Sequence, residues 1–282
     1  MGAAQASIIG SDERKANRKA AVAGRSVIFK IKRCDGPGKP WRWESFKVPT
    51  EPGSNVISSL NWIAANPVTV DGKETTPVVW DSNCLEEVCG ACTMVINGRV
   101  RQSCSCLVDE YAPREGDEII LEPMEKFPVI RDLWVDRARM FDALQRVKAW
   151  VPIDGTYNLG PGPQESHDHQ QMRYALSECM TCGCCLDACP QFAEEEDPKN
   201  WDKNFIGPQA ISQARLFNEH GTGKRLKDER MDTLMSPDGI QNCGNAQNCV
   251  KVCPKGIPLT ESIAAIGRSA TVHSVKKFFT GK

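Results

Sequence analysis

The cysteines constrain this chain more than any other feature of its sequence, because they are numerous and clustered. The 282 residues include 14 cysteines, and all except Cys34 lie in three groups, at residues 84–106, 179–189 and 243–253. Clusters of this kind are typical of disulfide scaffolds, zinc sites or iron-sulfur sites. The sequence therefore predicts that the chemistry of the chain resides in these groups.

The N-terminal region argues against a disulfide scaffold. Charged residues recur from Asp12 to Arg25, and no apolar stretch has the length of a secretory signal. We therefore expect a reducing compartment, in which disulfides are rare. The basic, alanine-rich segment at 14–25 also resembles an organellar transit peptide, but Asp12 and Glu13 disfavour that interpretation. Residues 1–25 are predicted to form a flexible, solvated tail.

The charge balance and hydropathy limit the partners of the chain. Lys and Arg number 35 against 36 Asp and Glu, which gives a formal net charge of -1. This balance disfavours general nucleic-acid binding, which depends on basic contacts to phosphate. No stretch approaches the roughly 18 uninterrupted apolar residues that cross a bilayer. We expect no nucleic-acid partner and no membrane crossing by the chain itself.

The first half of the chain has the pattern of a mixed domain. Asn55 is expected to cap a helix that ends before Pro67, where the proline disfavours further helix. Alternation of apolar and polar residues predicts four strands, at 26–32, 41–48, 93–96 and 118–121.

The second half has a helical pattern. Spacing of three and four residues predicts an amphipathic helix at 136–150, and the Gly- and Pro-rich residues 152–171 are predicted to form an irregular connection. The four histidines have no ligand partner in sequence and are interpreted as solvated. Further helices are expected at 172–178, 208–219 and 260–266.

The first cysteine group has the spacing of a 2Fe-2S site. Cys84, Cys89 and Cys92 follow the C-x4-C-x2-C pattern of plant-type ferredoxins, and Cys104 follows after eleven residues. Two irons bridged by two sulfides need four thiolates, and a tight glycine-bearing loop can supply three. Zinc more often takes two C-x2-4-C pairs, so we favour 2Fe-2S. The spacing leaves Cys104 and Cys106 as alternatives for the fourth ligand.

The second and third groups form a pair of bacterial ferredoxin runs. The second group contains C-x2-C-x2-C-x3-C-P, in which the last cysteine serves the other cluster, and the third is the same run with Ala246 in place of its second cysteine. A methyl group cannot bind iron, so one 4Fe-4S cluster and one 3Fe-4S cluster are predicted. Cys184 is left without a ligand role, and structural zinc is the disfavoured alternative. The 4Fe-4S ligands are predicted to be Cys179, Cys182, Cys185 and Cys253, and the 3Fe-4S ligands Cys189, Cys243 and Cys249.

These patterns together predict an α+β fold class. We expect a plant-type 2Fe-2S ferredoxin domain with a β-grasp fold over residues 26–134. An all-helical domain that resembles bacterial ferredoxins and carries the other two clusters is expected over residues 135–282.

This order of motifs resembles the iron-sulfur subunit of succinate dehydrogenase and fumarate reductase. The likeness covers residues 26–278 and extends beyond the ligands to the sequences that begin at Phe127 (FPVIRDL), Phe205 (FIGP) and Cys253 (CPKGIP). It is greatest for the bacterial branch that works with menaquinone. The family pattern implies that Cys104 is the fourth 2Fe-2S ligand and that Cys106 is a buried thiol.

The resemblance implies a linear electron relay. A flavoprotein subunit with covalent FAD acts on succinate or fumarate, and electrons pass through 2Fe-2S, 4Fe-4S and 3Fe-4S to quinone. The quinone lies at a membrane anchor, a cytochrome b subunit with haem, which holds this chain on the cytoplasmic side of the inner membrane. The resemblance implies no catalytic residue and no dicarboxylate site in this chain.

One departure from the family bears on quinone. Ubiquinone-linked members have a Trp shortly after the first Cys-Pro and a His directly after the first cysteine of the final run. Here Pro190 is followed by the sequence QFAE, and Cys243 is followed by Gly244. The resemblance therefore implies a quinone site that lies mainly in the anchor.

Two functions from other classes are the alternatives. One is a soluble ferredoxin-type subunit that serves a different dehydrogenase, which the 2Fe-2S motif and Ala246 disfavour. The other is a zinc-stabilised interaction module without a redox role, which would be colourless when purified.

Overall fold

The chain forms two compact units. The computed structural model describes residues 10–20, 24–152, 164–195 and 197–281. The units comprise Met1–Asp136 and Arg137–Lys282.

The first unit is built on a five-stranded mixed sheet. Its strand order is β2-β1-β5-β3-β4, with β1 and β5 parallel and the other neighbours antiparallel. A separate two-stranded sheet pairs β6 with β7. The strands are β1 (Arg25–Arg33), β2 (Arg42–Thr50), β3 (Thr93–Ile96), β4 (Arg99–Gln102), β5 (Glu118–Glu122), β6 (Val129–Arg131) and β7 (Trp134–Val135).

Residue alternation and a helix cap explain the core of this unit. Val27, Phe29 and Ile31 are fully buried, because alternate residues of β1 face one side of the sheet. The helices of the unit are α1 (Ser11–Ala20), α2 (Val56–Ala65) and the single turn α3 (Val108–Tyr111). Asn55 caps α2 in a reciprocal pair of hydrogen bonds with Ser58, and the apolar face of α2 joins the core beside the sheet. The predicted strands and the predicted cap are confirmed.

A buried ion-pair network fixes the segment that leads to the first cysteine group. The Arg33 guanidinium donates two hydrogen bonds to the Asp132 carboxylate, at 3.1 and 2.9 Å, and one to Glu44 at 2.7 Å. Arg33 also donates to the carbonyl oxygen of Thr76, and the Val79 N–H donates to Asp132. The network therefore holds both β2 and the chain just before residue 84.

Helices are the only regular elements in the described parts of the second unit. They are α4 (Ala138–Arg146), α5 (His167–Ser177), α6 (Cys184–Asp187), α7 (Pro208–Glu219), α8 (Lys227–Leu234), α9 (Asn248–Val252) and α10 (Leu259–Thr280), with 3₁₀-helices at Pro198–Lys203, Gly223–Leu226 and Ile240–Asn242. This agrees with the predicted α+β class. Within the described ranges, none of the helices combines the length and apolar character needed to span a bilayer.

A buried cation joins three segments of the second unit. The Arg230 guanidinium on α8 donates to the carbonyl oxygens of Lys148, Trp150 and Gly223, at 3.0, 2.9 and 2.7 Å. Burial lowers the pKa of Arg230 to about 10. The end of α4 and the turn before α8 are thereby held together.

Three predictions are corrected by the structure. Residues 11–20 of the predicted tail form α1, which donates a hydrogen bond from Asn17 to the carbonyl oxygen of Glu110, whereas residues 1–9 and 21–23 lie outside the described residues. The helix predicted at 136–150 is shorter, because Lys148 adopts a positive φ. In the predicted connection, α5 already begins at His167, since Ser166 caps it.

The predicted solvation of the histidines is also wrong in part. His273 is buried and lies 2.8 Å from the Asp232 carboxylate, and His169 lies 3.0 Å from that of Glu219. These carboxylates are distant in sequence, so local pattern does not reveal them.

Candidate iron-sulfur sites

The first cysteine group lies on a loop whose backbone N–H groups point at sulfur. Cys84 Sγ accepts hydrogen bonds from the backbone N–H groups of Glu86, Val88 and Cys89, at 3.5, 3.3 and 3.3 Å. Cys89 Sγ accepts from Ala91 at 3.4 Å and from Cys84 at 3.5 Å. The loop thus surrounds Cys84 and Cys89, the two outer cysteines of the group, with backbone N–H donors.

Left-handed residues produce this arrangement. Leu85, Glu87 and Gly90 have φ values of 63°, 58° and 74°. Alternation of left-handed with right-handed or extended residues turns successive N–H groups to one side of the chain, as in an anion-binding nest. Leu85 and Glu87 adopt a conformation that costs a non-glycine residue energy, and such strain is concentrated at functional sites.

The donors favour the thiolate form of Cys84. Hydrogen bonds from the backbone of Glu86 and Val88 lower the pKa of Cys84 from 9.0 to about 7. A thiolate is the form that binds iron. The loop therefore stabilises the ligand form through its own backbone.

Cys92 and Cys104 lie on the inner side of the site and are buried. The Ser103 N–H and hydroxyl both donate to the carbonyl oxygen of Cys92, at 3.1 and 2.8 Å, which brings Cys104 beside Cys92. Asn55 donates from Nδ2 to the Cys104 carbonyl at 3.1 Å, so the cap of α2 also holds this residue. Burial raises the pKa of Cys92 to about 12.

Two further cysteines of the first unit are buried thiols. Cys106 is fully enclosed, and burial raises its pKa to about 12. Cys34 Sγ donates to the carbonyl oxygen of Gly36 at 3.0 Å. The environment of Cys106 favours a neutral thiol.

The second unit contains two cavities lined by different cysteines. The first cavity brings Cys253 of the third group next to the second group, and its wall also includes Cys184 and Gln209. Its other cysteines are Cys179, Cys182 and Cys185. Burial raises the pKa of Cys179 to about 11 and that of Cys185 well above the ordinary value.

The second cavity joins Cys189 of the second group to the third group. It is lined by Cys189, Cys243 and Cys249, and Ala246 faces the same space. Burial raises the pKa of Cys249. Each run thus contributes its last cysteine to the cavity of the other run.

The two runs share a backbone pattern that is independent of their cysteines. Thr181 and Gly183 have φ values of 52° and 87°, and the corresponding residues Asn245 and Gln247 have values of 53° and 60°. A short helix follows in each case, α6 after Gly183 and α9 after Gln247. The run with Ala246 therefore keeps the loop conformation of the run with all its cysteines.

The cysteine environments suit iron-sulfur clusters. In the parts of the chain that the structure describes, no three His, Cys, Asp or Glu side chains form a group that could hold one metal ion. Thiolates around a cluster bind different irons and lie farther apart than ligands of one ion. The thiol chemistry, the N–H donors at Cys84 and the two cysteine-lined cavities all suit iron-sulfur clusters.

Comparisons with protein families divide the chain in the same way. Residues 28–142 match the family described as a 2Fe-2S iron-sulfur cluster binding domain. Residues 175–257 match the family described as a 4Fe-4S dicluster domain. The chain therefore contains a 2Fe-2S-binding domain followed by a 4Fe-4S dicluster domain.

Individual relatives extend over nearly the whole chain. The succinate dehydrogenase iron-sulfur subunit of Bacillus subtilis (strain 168) is 52% identical over 255 residues, which cover 90% of this chain and 96% of that protein. The fumarate reductase iron-sulfur subunit of Mycobacterium tuberculosis (strain CDC 1551 / Oshkosh) is 30% identical over 83% of this chain and 88% of that protein.

A solved structure supports the fold. A chain of the Mycobacterium smegmatis Sdh1 complex in the apo form matches with a TM-score of 0.73 at 20% identity, over 88% of this chain and 96% of that chain. The extent and identity of the curated relatives show the family. This chain belongs to the iron-sulfur subunits of succinate dehydrogenase and fumarate reductase, oxidoreductase complexes in which such subunits transfer electrons.

Proposed function

We propose that this chain relays electrons between an FAD-containing flavoprotein subunit and quinone at a membrane anchor. The observation that carries the proposal is the separation of the clustered cysteines into one N–H-rich loop and two cavities. When bound, 2Fe-2S, 4Fe-4S and 3Fe-4S clusters supply three one-electron carriers in a single chain. The residues of the chain hold thiolates at these three positions and exclude water from the cavities.

In the first domain, proposed as residues 26–134, the 2Fe-2S ligands are Cys84, Cys89, Cys92 and Cys104. The backbone donors around Cys84 and Cys89 support the two outer ligands. The bonds from Ser103 and Asn55, which hold the Cys92–Cys104 pair, support Cys104 as the fourth. Cys106 is proposed as a bystander, as the resemblance to the family implies, and its side chain is fully buried.

In the second domain, proposed as residues 135–282, the two cavities hold the other clusters. Cys179, Cys182, Cys185 and Cys253 are the proposed 4Fe-4S ligands, and Cys189, Cys243 and Cys249 the proposed 3Fe-4S ligands. The 3Fe-4S assignment is supported by Ala246, which faces the second cavity from a loop with the same backbone pattern as the complete run.

Exposed apolar side chains support a partner at each end of the relay. Leu85 and Val88, in the loop of the proposed 2Fe-2S site, are 54% and 51% exposed, and we assign this surface to the flavoprotein subunit. The last turns of α10 expose a second apolar set, which we assign to the anchor. That set comprises Val272, Val275, Phe278 and Phe279.

The proposed quinone site lies mainly in the anchor, since Gly244 stands where ubiquinone-linked members have a histidine. The amide of Gln191 lies against Gly244, so that a Cβ at this position would be 2.9 Å from Gln191 Nε2. A histidine there would need Gln191 to move away. We propose a haem-bearing cytochrome b anchor, menaquinone as the quinone, and a peripheral position of this chain on the cytoplasmic side of the inner membrane.

Native purification tests the relay as a whole. We expect this chain to copurify with an FAD subunit and a membrane anchor, in a coloured complex that oxidises succinate or reduces fumarate with a quinone. A colourless preparation that contains zinc would support the interaction module instead. A coloured chain with a different dehydrogenase would support the soluble ferredoxin-type subunit.

Substitution of Ala246 tests the proposed 3Fe-4S centre. In Ala246→Cys, we expect a fourth iron to bind, the oxidised 3Fe resonance to fall and the potential of that centre to decrease, because thiolate charge lowers cluster potentials. Electron delivery to quinone should slow, whereas dicarboxylate turnover with a flavin-level artificial acceptor should not. The control is Ala65→Cys at the exposed end of α2. An unchanged 3Fe resonance in Ala246→Cys would contradict the assignment.

A further inference from the structure

Gln209 is a buried amide whose nitrogen has no hydrogen-bond partner. Gln209 is the second residue of α7, and only 2% of its surface is exposed. Among the residues that the structure describes, none accepts a hydrogen bond from Gln209 Nε2. A buried donor without an acceptor is costly, so native proteins almost always provide one.

The position of Gln209 is fixed by the start of α7. Gly207 adopts a φ of 93°, and a Cβ there would lie 2.2 Å from Leu186 Cδ2, so only glycine permits this approach. Leu186 belongs to α6, which contains Cys184 and Cys185 of the second group. The helix start is therefore packed onto the cysteine run, and Pro208 begins α7 from there.

Gln209 lies in the wall of the first cavity of the second unit. Gln209 lines this cavity together with the four proposed 4Fe-4S ligands. Because the side chain is already buried within its own chain, a partner subunit has almost no surface of it to contact. A sulfur atom of a bound cluster is an acceptor that would satisfy the nitrogen.

We propose that Gln209 Nε2 donates an N–H···S hydrogen bond to the cluster held by Cys179, Cys182, Cys185 and Cys253, and so raises its reduction potential. This inference rests on the proposed 4Fe-4S site. Reduction adds negative charge to a cluster, and a donor stabilises the more negative form more strongly. Gln209 therefore tunes the reduction potential of the cluster and is not one of its ligands.

The test compares two glutamines on the same helix. Gln209→Met removes the donor and keeps the length of the side chain. The matched control is Gln213→Met, one turn further along α7, where Nε2 instead donates to the carbonyl oxygen of Leu176 at 3.2 Å. Both variants are purified in the complete complex, and the potential of the reduced 4Fe-4S resonance is titrated.

We expect Gln209→Met to shift the reduction equilibrium of the 4Fe-4S centre about tenfold toward the oxidised form, or about 59 mV for one electron. The 2Fe-2S potential should not change, and Gln213→Met should leave both centres unchanged. An unshifted 4Fe-4S potential in Gln209→Met would overturn the inference. Absence of any 4Fe-4S resonance in the wild-type complex would instead overturn the proposed function.

A second measurement does not depend on the folding of a variant. Wild-type complex labelled with nitrogen-15 in the glutamine side chains is reduced and studied by pulsed paramagnetic resonance. We expect a nitrogen-15 hyperfine coupling in the 4Fe-4S spectrum that persists in Gln213→Met. A wild-type 4Fe-4S spectrum without such coupling would also contradict the hydrogen bond.

Discussion

Cys84 in the loop of the first unit lies in an environment opposite to that of Cys179 and Cys185 in the first cavity of the second. Three backbone donors lower the pKa of Cys84 to about 7, whereas burial raises the pKa of Cys179 to about 11 and that of Cys185 well above its ordinary value. The loop can therefore hold a thiolate without iron. In the first cavity of the second unit, Cys179 and Cys185 are strongly favoured as neutral thiols until a metal binds. Two other proposed ligands depart from this contrast, because burial raises the pKa of Cys92 and a hydrogen bond with Cys184 lowers the pKa of Cys182.

The two units also differ in what forms their cores. The first unit buries a sheet and α2 in an apolar cluster, whose members include Val27, Phe29 and Leu60. That cluster also contains the proposed ligands Cys92 and Cys104, but most of its members are apolar residues without a ligand role. In the second unit, the much smaller cluster around Leu176 includes four proposed ligands, namely Cys249 with Cys179, Cys185 and Cys253. The difference indicates that folding of the second unit is coupled to its clusters, as in small metal-dependent domains.

The largest expected effect is loss of a ligand in the second unit. Cys185→Ser should remove the 4Fe-4S cluster and destabilise the second unit by more than about 4 kcal/mol, as loss of a metal site can. Cys84→Ser should cost the first unit less than about 2 kcal/mol, because its core remains. Hydrogen exchange of the backbone amides, resolved by mass spectrometry, measures the stability of both units in one sample.

Cys184→Ser separates loss of the cluster from the substitution itself. Cys184 is fully buried and lines the same cavity, but it is not a proposed ligand. We expect this control to retain the 4Fe-4S resonance and most protection from exchange. Equal losses of protection in Cys84→Ser and Cys185→Ser would remove the distinction between the units.

The second effect concerns the side-chain network that supports the first unit. Arg33→Met removes the hydrogen-bonded cation of the buried Asp132 carboxylate, leaving Arg131 at 3.9 Å, and should destabilise the first unit by about 3–5 kcal/mol. Arg42→Met, at a partly exposed guanidinium that pairs with Asp35 and with Glu44, should cost less than Arg33→Met. Urea unfolding measures the free energy of unfolding of both variants. Similar costs for the two arginines would mean that the network does not support the loop.

The third effect is the reactivity of Cys84 in the absence of iron. If the loop is preorganised, alkylation of metal-free protein should be faster at Cys84 than at Cys106 by more than about tenfold near neutral pH. The Cys84 rate should rise through pH 7 and then level off, because its pKa is about 7, whereas burial holds the pKa of Cys106 near 12. Labelling followed by mass spectrometry gives both rates. A Cys84 rate that still rises near pH 9 would show that iron creates the N–H arrangement.

The smallest effect is expected at a surface pair of the second unit. Hydrogen bonds from Lys277 and His273 lower the pKa of Asp232 below 3.8. Its contribution to stability is present above pH 3.8 and is lost as the pH falls through the lowered value. Since the side chain is half exposed, Asp232→Asn should cost less than about 1 kcal/mol. The loss of stability is measured by hydrogen exchange of the backbone amides of α8 and α10. A larger loss would mean that ion pairs rather than clusters stabilise this unit.

Local sequence pattern predicted the elements that depend on local chemistry. The alternation in β1 and the cap at Asn55 can be identified from neighbouring residues alone. Fold and family also follow from the cysteine spacing, because iron-sulfur clusters impose it. The grouping of Cys253 with the second run follows from the same rule.

Features that depend on distant partners could not be predicted in this way. The α1 segment is polar on its sequence alone, and Asn17 is held by a carbonyl far along the chain. Arg33 and Arg230 resemble surface cations until their buried acceptors are known. A glutamine near the start of a helix is expected to be exposed. The close approach of Gly207 to Leu186 explains why Gln209 instead lines the cavity.

Paramagnetic resonance of the natively purified complex tests the three-cluster relay most directly. We expect a spin-half 3Fe resonance in the oxidised protein, with 2Fe-2S and 4Fe-4S resonances that appear on stepwise reduction. Iron analysis of the same sample establishes full loading. A fully loaded complex without the oxidised 3Fe resonance would contradict the assignment of Cys189, Cys243 and Cys249 and the order of carriers built on it.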